Sequence, residues 1–162
     1  MVDIPTLIQT VSVVITALSV ALGIGIGVSR LRNLVKTRQI QLYMELYNKV
    51  MEKDLQRYLL EILLLWKWKD PKDFFEKYGP EKNLDEFVKF TLVTTYLENL
   101  GLALNENLVD VHLVANLIGT TIYSFWEKYE PILIEFGQRY NTPKIMPMTE
   151  YLYRQVKSVR PR

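Results

Sequence analysis

An all-α fold, with an N-terminal transmembrane helix continuing into a cytosolic bundle of five or six helices, follows from three features of the sequence. No charged residue occurs from Ile4 to Val28. Beyond Ser29, apolar residues recur at spacings of three and four. No segment shows the alternation of period two that a half-buried strand requires. With 162 residues, 49% of them hydrophobic, the chain holds one ordinary domain beside the apolar run. It has no cysteine and one histidine, which excludes a disulfide scaffold and a Cys/His zinc site.

The first element is the apolar run. Its roughly 25 residues, at 1.5 Å rise, span about 37 Å, more than the roughly 30 Å hydrocarbon core of a bilayer. A secretory signal peptide would want a basic start, whereas Asp3 is the charged side chain that precedes the run. Ala21-Leu22-Gly23 is a poor cleavage site. A retained anchor is therefore expected. Arg30, Arg32, Lys36 and Arg38 follow it directly and place that flank, and the domain behind it, in the cytoplasm with the N-terminus outside. These four are also the expected contacts to anionic lipid headgroups.

Within the run, Gln9, Ser12, Thr16, Ser19, Gly23 and Gly27 fall on one stripe at 100° per residue. From Gln9 to Gly23 the steps alternate three and four, which is the coiled-coil period, and Gly23 with Gly27 forms a small-xxx-small pair. Such a face suits a partner helix; a wet lumen and plain composition are the competing explanations. Gly23 to Gly27 superficially resembles a phosphate loop, but Val28 occupies the third glycine position of G-x-G-x-x-G.

The helical reading then continues in order. Arg30 to about Trp68 carries Leu34, Val35, Leu42, Leu46, Val50, Leu55 and Leu59 at helical spacing, with a break expected near Lys53-Asp54. Asp70-Pro71 opens a short helix that Gly79-Pro80 closes. Asn83 with Glu86 forms a capping-box variant opening a helix from Leu84 to about Leu104. Asn105 to Asn107 is a turn, and a helix from about Leu108 to Leu117 follows. Asp110 and His112 near its start mark it as a buried core helix rather than a second span. Thr120 to Tyr140 is helical, with Pro131 expected to kink or divide it, and Asn141-Thr142-Pro143 ends it. A last helix runs from Thr149 to about Val159. The expected organisation is an anchor over 1–29, a basic stalk helix over 30–52 and a helical bundle over 53–162.

Catalytic patterns are scarce. No serine lies in G-x-S-x-G, and Asp110 and His112, two residues apart on a helix, point to different faces. His112 is expected to be a half-buried helix residue. Carboxylates are mixed with lysines, as on a solvated surface, and no E-x-x-H pair offers a di-metal site. No enzyme activity and no cofactor are expected. The net charge of +2 hides basic ends, the second being Arg154, Lys157, Arg160 and Arg162, around an acidic middle. An acidic middle cannot neutralise phosphates, so nucleic acid is not an expected partner. The aromatics read as two core clusters: Trp66, Trp68, Phe74 and Phe75 in one, Tyr123, Phe125, Trp126 and Tyr129 in the other.

Several stretches resemble an uncharacterised prokaryotic family of small membrane proteins with one N-terminal span and a helical cytosolic domain. They are Arg30-Leu31-Arg32, Leu42-Tyr43-Met44-Glu45-Leu46, Tyr96-Leu97-Glu98-Asn99-Leu100-Gly101, and Phe125-Trp126 ahead of Pro131-Ile132. The resemblance implies the single-span architecture and no known activity. The expected function is that of a membrane-anchored scaffold, adaptor or effector, self-associating through the stripe, with membrane lipids and a second copy or another membrane protein as partners. A homo-oligomeric pore lined by the stripe, and an accessory subunit of a larger membrane complex, are the alternatives.

Overall fold

The computed structural model describes residues 3–142 and 144–159. Pro143, Arg160 and Arg162, which figure in the sequence reading, lie outside the described residues. Every regular element among the described residues is helical. They are α1 (Ile4–Met51), α2 (Lys53–Leu60) running into a π-helical turn (Glu61–Leu65), α3 (Pro71–Tyr78), α4 (Leu84–Asn105), α5 (Val111–Arg139) and α6 (Pro147–Val159). The chain divides into two compact units, one ending at Gln41 and one beginning at Leu42.

The first unit is helix alone. The second is the bundle, and it takes in the last turns of α1: Val50 is buried, and Leu42 and Leu46 pack against the core. The break after α1 falls at Glu52, whose extended backbone (φ −61°, ψ 126°) separates α1 from α2. That is one residue before the expected position. Helix α6 packs across α4 and α5, α2 lies against α4, and α3 bridges α4 and α5.

Local chemistry explains the boundaries. The Asp70 carboxylate accepts from the Asp73 amide at 2.9 Å and caps α3, with Pro71 in the first helical position. Asn83 caps α4 through the Glu86 amide at 3.4 Å. The capping box is only half formed, because the Asn83 amide goes to the Gly79 carbonyl and Glu86 Oε1 goes to Lys89. Glu86 Oε2 is buried without a hydrogen-bond partner.

Helix α5 meets expectation at one marked place and departs from it at the other. Its backbone leaves helical angles at Ile118 (φ −138°, ψ 18°), between the two expected helices. Gly119-Thr120-Thr121, all weak helix formers, follow at once. Pro131, by contrast, sits inside α5 without dividing it. Its missing N–H would have served the carbonyl of Glu127, and both residues are exposed, so water can meet that carbonyl. His112 is exposed rather than half-buried, because it lies in the first turn of α5, which Asp110 caps through the amides of His112 and Leu113 at 2.8 and 3.2 Å.

The aromatic core is distributed differently from the sequence grouping. Phe125 and Tyr129 join Trp66, Trp68, Phe74 and Phe90, with Trp68–Tyr129 centroids 5.0 Å apart and Phe125–Tyr129 4.8 Å apart. Tyr123 and Trp126 instead meet Tyr153 of α6. On α5, residues 125 and 129 share a face and 123 and 126 point away from it, which chain proximity alone conceals.

Candidate membrane anchor and packing face

From Ser12 to Gln41 every residue of α1 is exposed. The large aliphatic residues between Val13 and Val28 are 43% to 67% exposed, and they occupy all sides of the helix. A soluble core helix hides at least one side; this one hides none. Over Ser12–Met51 the helix reaches a mean hydropathy of 2.1 in its most apolar window, with none of that window buried. It is long and apolar enough to cross a membrane by length and composition.

All six stripe residues, Gln9, Ser12, Thr16, Ser19, Gly23 and Gly27, lie on uninterrupted helix and are exposed. The Thr16 hydroxyl donates to the Ser12 carbonyl at 2.8 Å, and the Ser19 hydroxyl donates to the Ile15 carbonyl at 2.9 Å. Both hydroxyls are thereby satisfied within their own helix. A Cβ added at Gly23 or Gly27 would meet open space. Arg30, Arg32, Lys36 and Arg38 are exposed as well, and none joins an ion pair among the described residues.

Two polar devices hold the bundle together, and neither was singled out by the sequence reading. Lys128 of α5 donates from Nζ to the carbonyls of Ile62, Leu63 and Trp66 at 2.7, 2.8 and 2.9 Å. It thus caps the end of the π-helical turn, where carbonyls lack partners. Its ammonium also lies 4.9 Å from the Trp68 ring centroid. Burial, with the Lys67 charge beside it, lowers the Lys128 pKa from 10.5, and the three carbonyls are what hold a charged amine there. Tyr129 adds a bond from its hydroxyl to the Ile62 carbonyl at 2.7 Å. The sequence signal was present: Lys128 is the first lysine or arginine after Lys89.

The second device is Glu98 of α4. Its carboxylate accepts from the amides of Met148 and Thr149 at 3.1 and 2.8 Å and from the Thr149 hydroxyl at 2.8 Å. A side chain from another helix therefore caps α6, which explains why α6 starts at Pro147, two residues earlier than expected. One turn further along α4, Gly101 lets the chain approach, since a Cβ there would collide with the Met148 carbonyl oxygen. Glu98 and Gly101 both belong to the Tyr96–Gly101 stretch quoted above. An open groove of about 540 Å³ borders α5 and α6, with Trp126, Leu133 and Ile145 beside Glu130, Lys144 and Glu150.

Fold and exposed helix together define an all-helical protein with, among the described residues, one helix apolar and long enough to span a bilayer. The chain belongs to the family described as a domain of unknown function, DUF4760, whose model matches residues 6–156. That match covers most of the apolar helix together with the bundle. No curated protein and no solved structure matches the chain.

Proposed function

We propose that this chain is a single-pass membrane protein whose cytoplasmic bundle acts as a non-enzymatic scaffold, adaptor or effector and whose span self-associates. The observation that carries the reading is the helix exposed on every side from Ser12 to Gln41, a surface that water does not tolerate and lipid does. Two observations weigh against a cleaved leader. The helix runs unbroken through Ala21-Leu22-Gly23, and the family match includes it. The basic flank orients the span with the bundle inside and contacts anionic headgroups.

The stripe from Gln9 to Gly27 is the packing face. Lipid gives no reason to gather small residues on one side, whereas close backbone approach does. Because Thr16 and Ser19 satisfy their hydroxyls internally, the stripe does not need a wet lumen, and this favours packing over a pore. The test is the mass of the detergent-solubilised full-length particle. Gly23→Leu combined with Gly27→Leu should shift it toward monomer, while Thr16→Val, which keeps volume, should leave it assembled. Bilayer conductance that disappears with Thr16→Val would replace this reading with the pore. A particle unaffected by both glycine substitutions would remove the stripe as the association face.

A further inference from the structure

The stripe in the span keeps a heptad register, and α1 carries that register onward without a break. With Gln9 in position a, the stripe residues from Gln9 to Gly23 alternate between positions a and d. The same count along the uninterrupted helix reaches Arg30 and then Asn33, Thr37, Ile40, Met44, Tyr47 and Met51. The last four form an apolar seam that is 36% to 54% exposed. Core packing does not account for them. Leu42 and Leu46, which pack against the core, and buried Val50 lie about 130° round the helix from Met44, Tyr47 and Met51 at 100° per residue.

The register says what covers this seam. An apolar strip repeating every 3.5 residues fits a helix of the same period, and the mismatch with 3.6 is taken up by a left-handed supercoil. The inference rests on the self-association of the span proposed above. Two spans inserted in the same sense and packed through the stripe are parallel, so the second copy's α1 meets this seam at the same height. A different partner would have to displace it. The charges permit the pairing. Arg30 is the one charged residue of the register from Gln9 to Met51, and its long side chain reaches the headgroups at the end of the apolar run. Beyond Asn33 the flanking e positions hold Leu34, Gln41 and Asn48, and the g positions hold Lys36, Tyr43 and Val50. A parallel pair therefore sets Lys36 of one copy beside Gln41 of the other, with no like charge opposite it.

We propose that α1 forms a parallel two-stranded coiled coil with α1 of a second copy, in one register from the span to Met51, with Ile40, Met44, Tyr47 and Met51 as its core beyond the apolar run. Because the chain has no cysteine, single-cysteine variants of the full-length protein report contacts cleanly. In native membranes under mild oxidation, Met44→Cys and Tyr47→Cys should form disulfide-linked dimers. Glu45→Cys, exposed on another side of α1, should give severalfold less. One alanine inserted between Lys36 and Thr37 turns the seam by about 100° relative to the stripe and should lower the Met44→Cys yield severalfold. Seven residues inserted at the same place keep the register and should restore it. Ser19→Cys, on the stripe, separates this proposal from the reading of the span. Cross-linking at Ser19→Cys without Met44→Cys and Tyr47→Cys overturns the proposal and leaves the span association standing. Cross-linking at Met44→Cys and Tyr47→Cys without Ser19→Cys overturns the span reading, and with it the shared register. Equal yield at Glu45→Cys, or a yield indifferent to the single alanine, overturns the proposal as well. So does a Met44→Cys shielded from an impermeant maleimide without any dimer, which assigns the seam to a different protein.

Discussion

Lys128 shows at single-residue scale how a helical bundle handles a backbone that stops being helical. The extended backbone at Trp66 leaves carbonyls at the end of the π-helical turn without intrahelical donors, and one ammonium collects three of them. Lys128→Met keeps the length and removes the donors, so it should cost about 2 kcal/mol in chemical denaturation, the desolvation penalty of carbonyls left unpaired. An unchanged midpoint would mean that water caps the turn instead. Gly101 is the steric counterpart. Gly101→Ala forces the Met148 carbonyl away and should destabilise by more than the usual helical gain of alanine over glycine, roughly 1 kcal/mol, offsets. At this scale the sequence was legible where a residue acts on its neighbours, as with the caps at Asp70 and Asn83. It was silent where a residue acts across the fold, as with Lys128 reaching back to Ile62 and Glu98 reaching forward to Thr149.

Elements are tied to one another by the same kind of long-range contact. Helix α6 begins after Met146, whose positive φ of 58° ends the preceding segment, and its cap comes from α4. Glu98→Gln should therefore loosen α6 selectively: amide exchange in Thr149 to Val156 should speed up while α3 and α4 keep their protection. Uniform loss of protection would show that α6 and the rest of the bundle unfold as one. The link between the π-helical turn and α4 carries a pH signature. Hydrogen bonding from Lys89, then its charge, holds the Glu61 carboxyl below 4.5, and hydrogen bonds to Glu61 and Glu86 hold Lys89 above 10.5. A depressed carboxyl contributes stability that is complete above its unfolded value and is lost as pH falls through the folded one. A raised lysine contributes stability that is complete below 10.5 and is lost as pH rises through its folded value. The Glu61→Gln variant should accordingly show a shallower loss of stability below pH 4.5 than the native chain, in urea titrations at successive pH values. Equal acid limbs would assign no part of that loss to this pair. Element positions were largely legible because caps, prolines and periodicity are local signals. The kink at Ile118 was readable only as a gap between two helices, and the continuity through Pro131 depends on solvent access that no local pattern encodes.

For the whole molecule the dominant fact is the contrast between a bundle that buries its apolar residues and a helix that buries none of them from Ser12 to Gln41. The uncharged run and the basic cluster after it were visible in the sequence, because bilayer thickness and the positive-inside bias act on composition and length rather than on tertiary contacts. Replacing Arg30, Arg32, Lys36 and Arg38 with Gln should let a fraction of chains insert in the opposite sense, read as bundle cleaved by protease added to intact cells. Unchanged protection would place the orientation signal elsewhere. The central claim, that α1 is a retained membrane span, is tested most directly by the intact mass of the full-length chain recovered from carbonate-washed membranes. Retention in the membrane pellet at the full 19.1 kDa is the expected result. A chain released into the wash, or one shortened by removal of residues up to about Gly23, would contradict it.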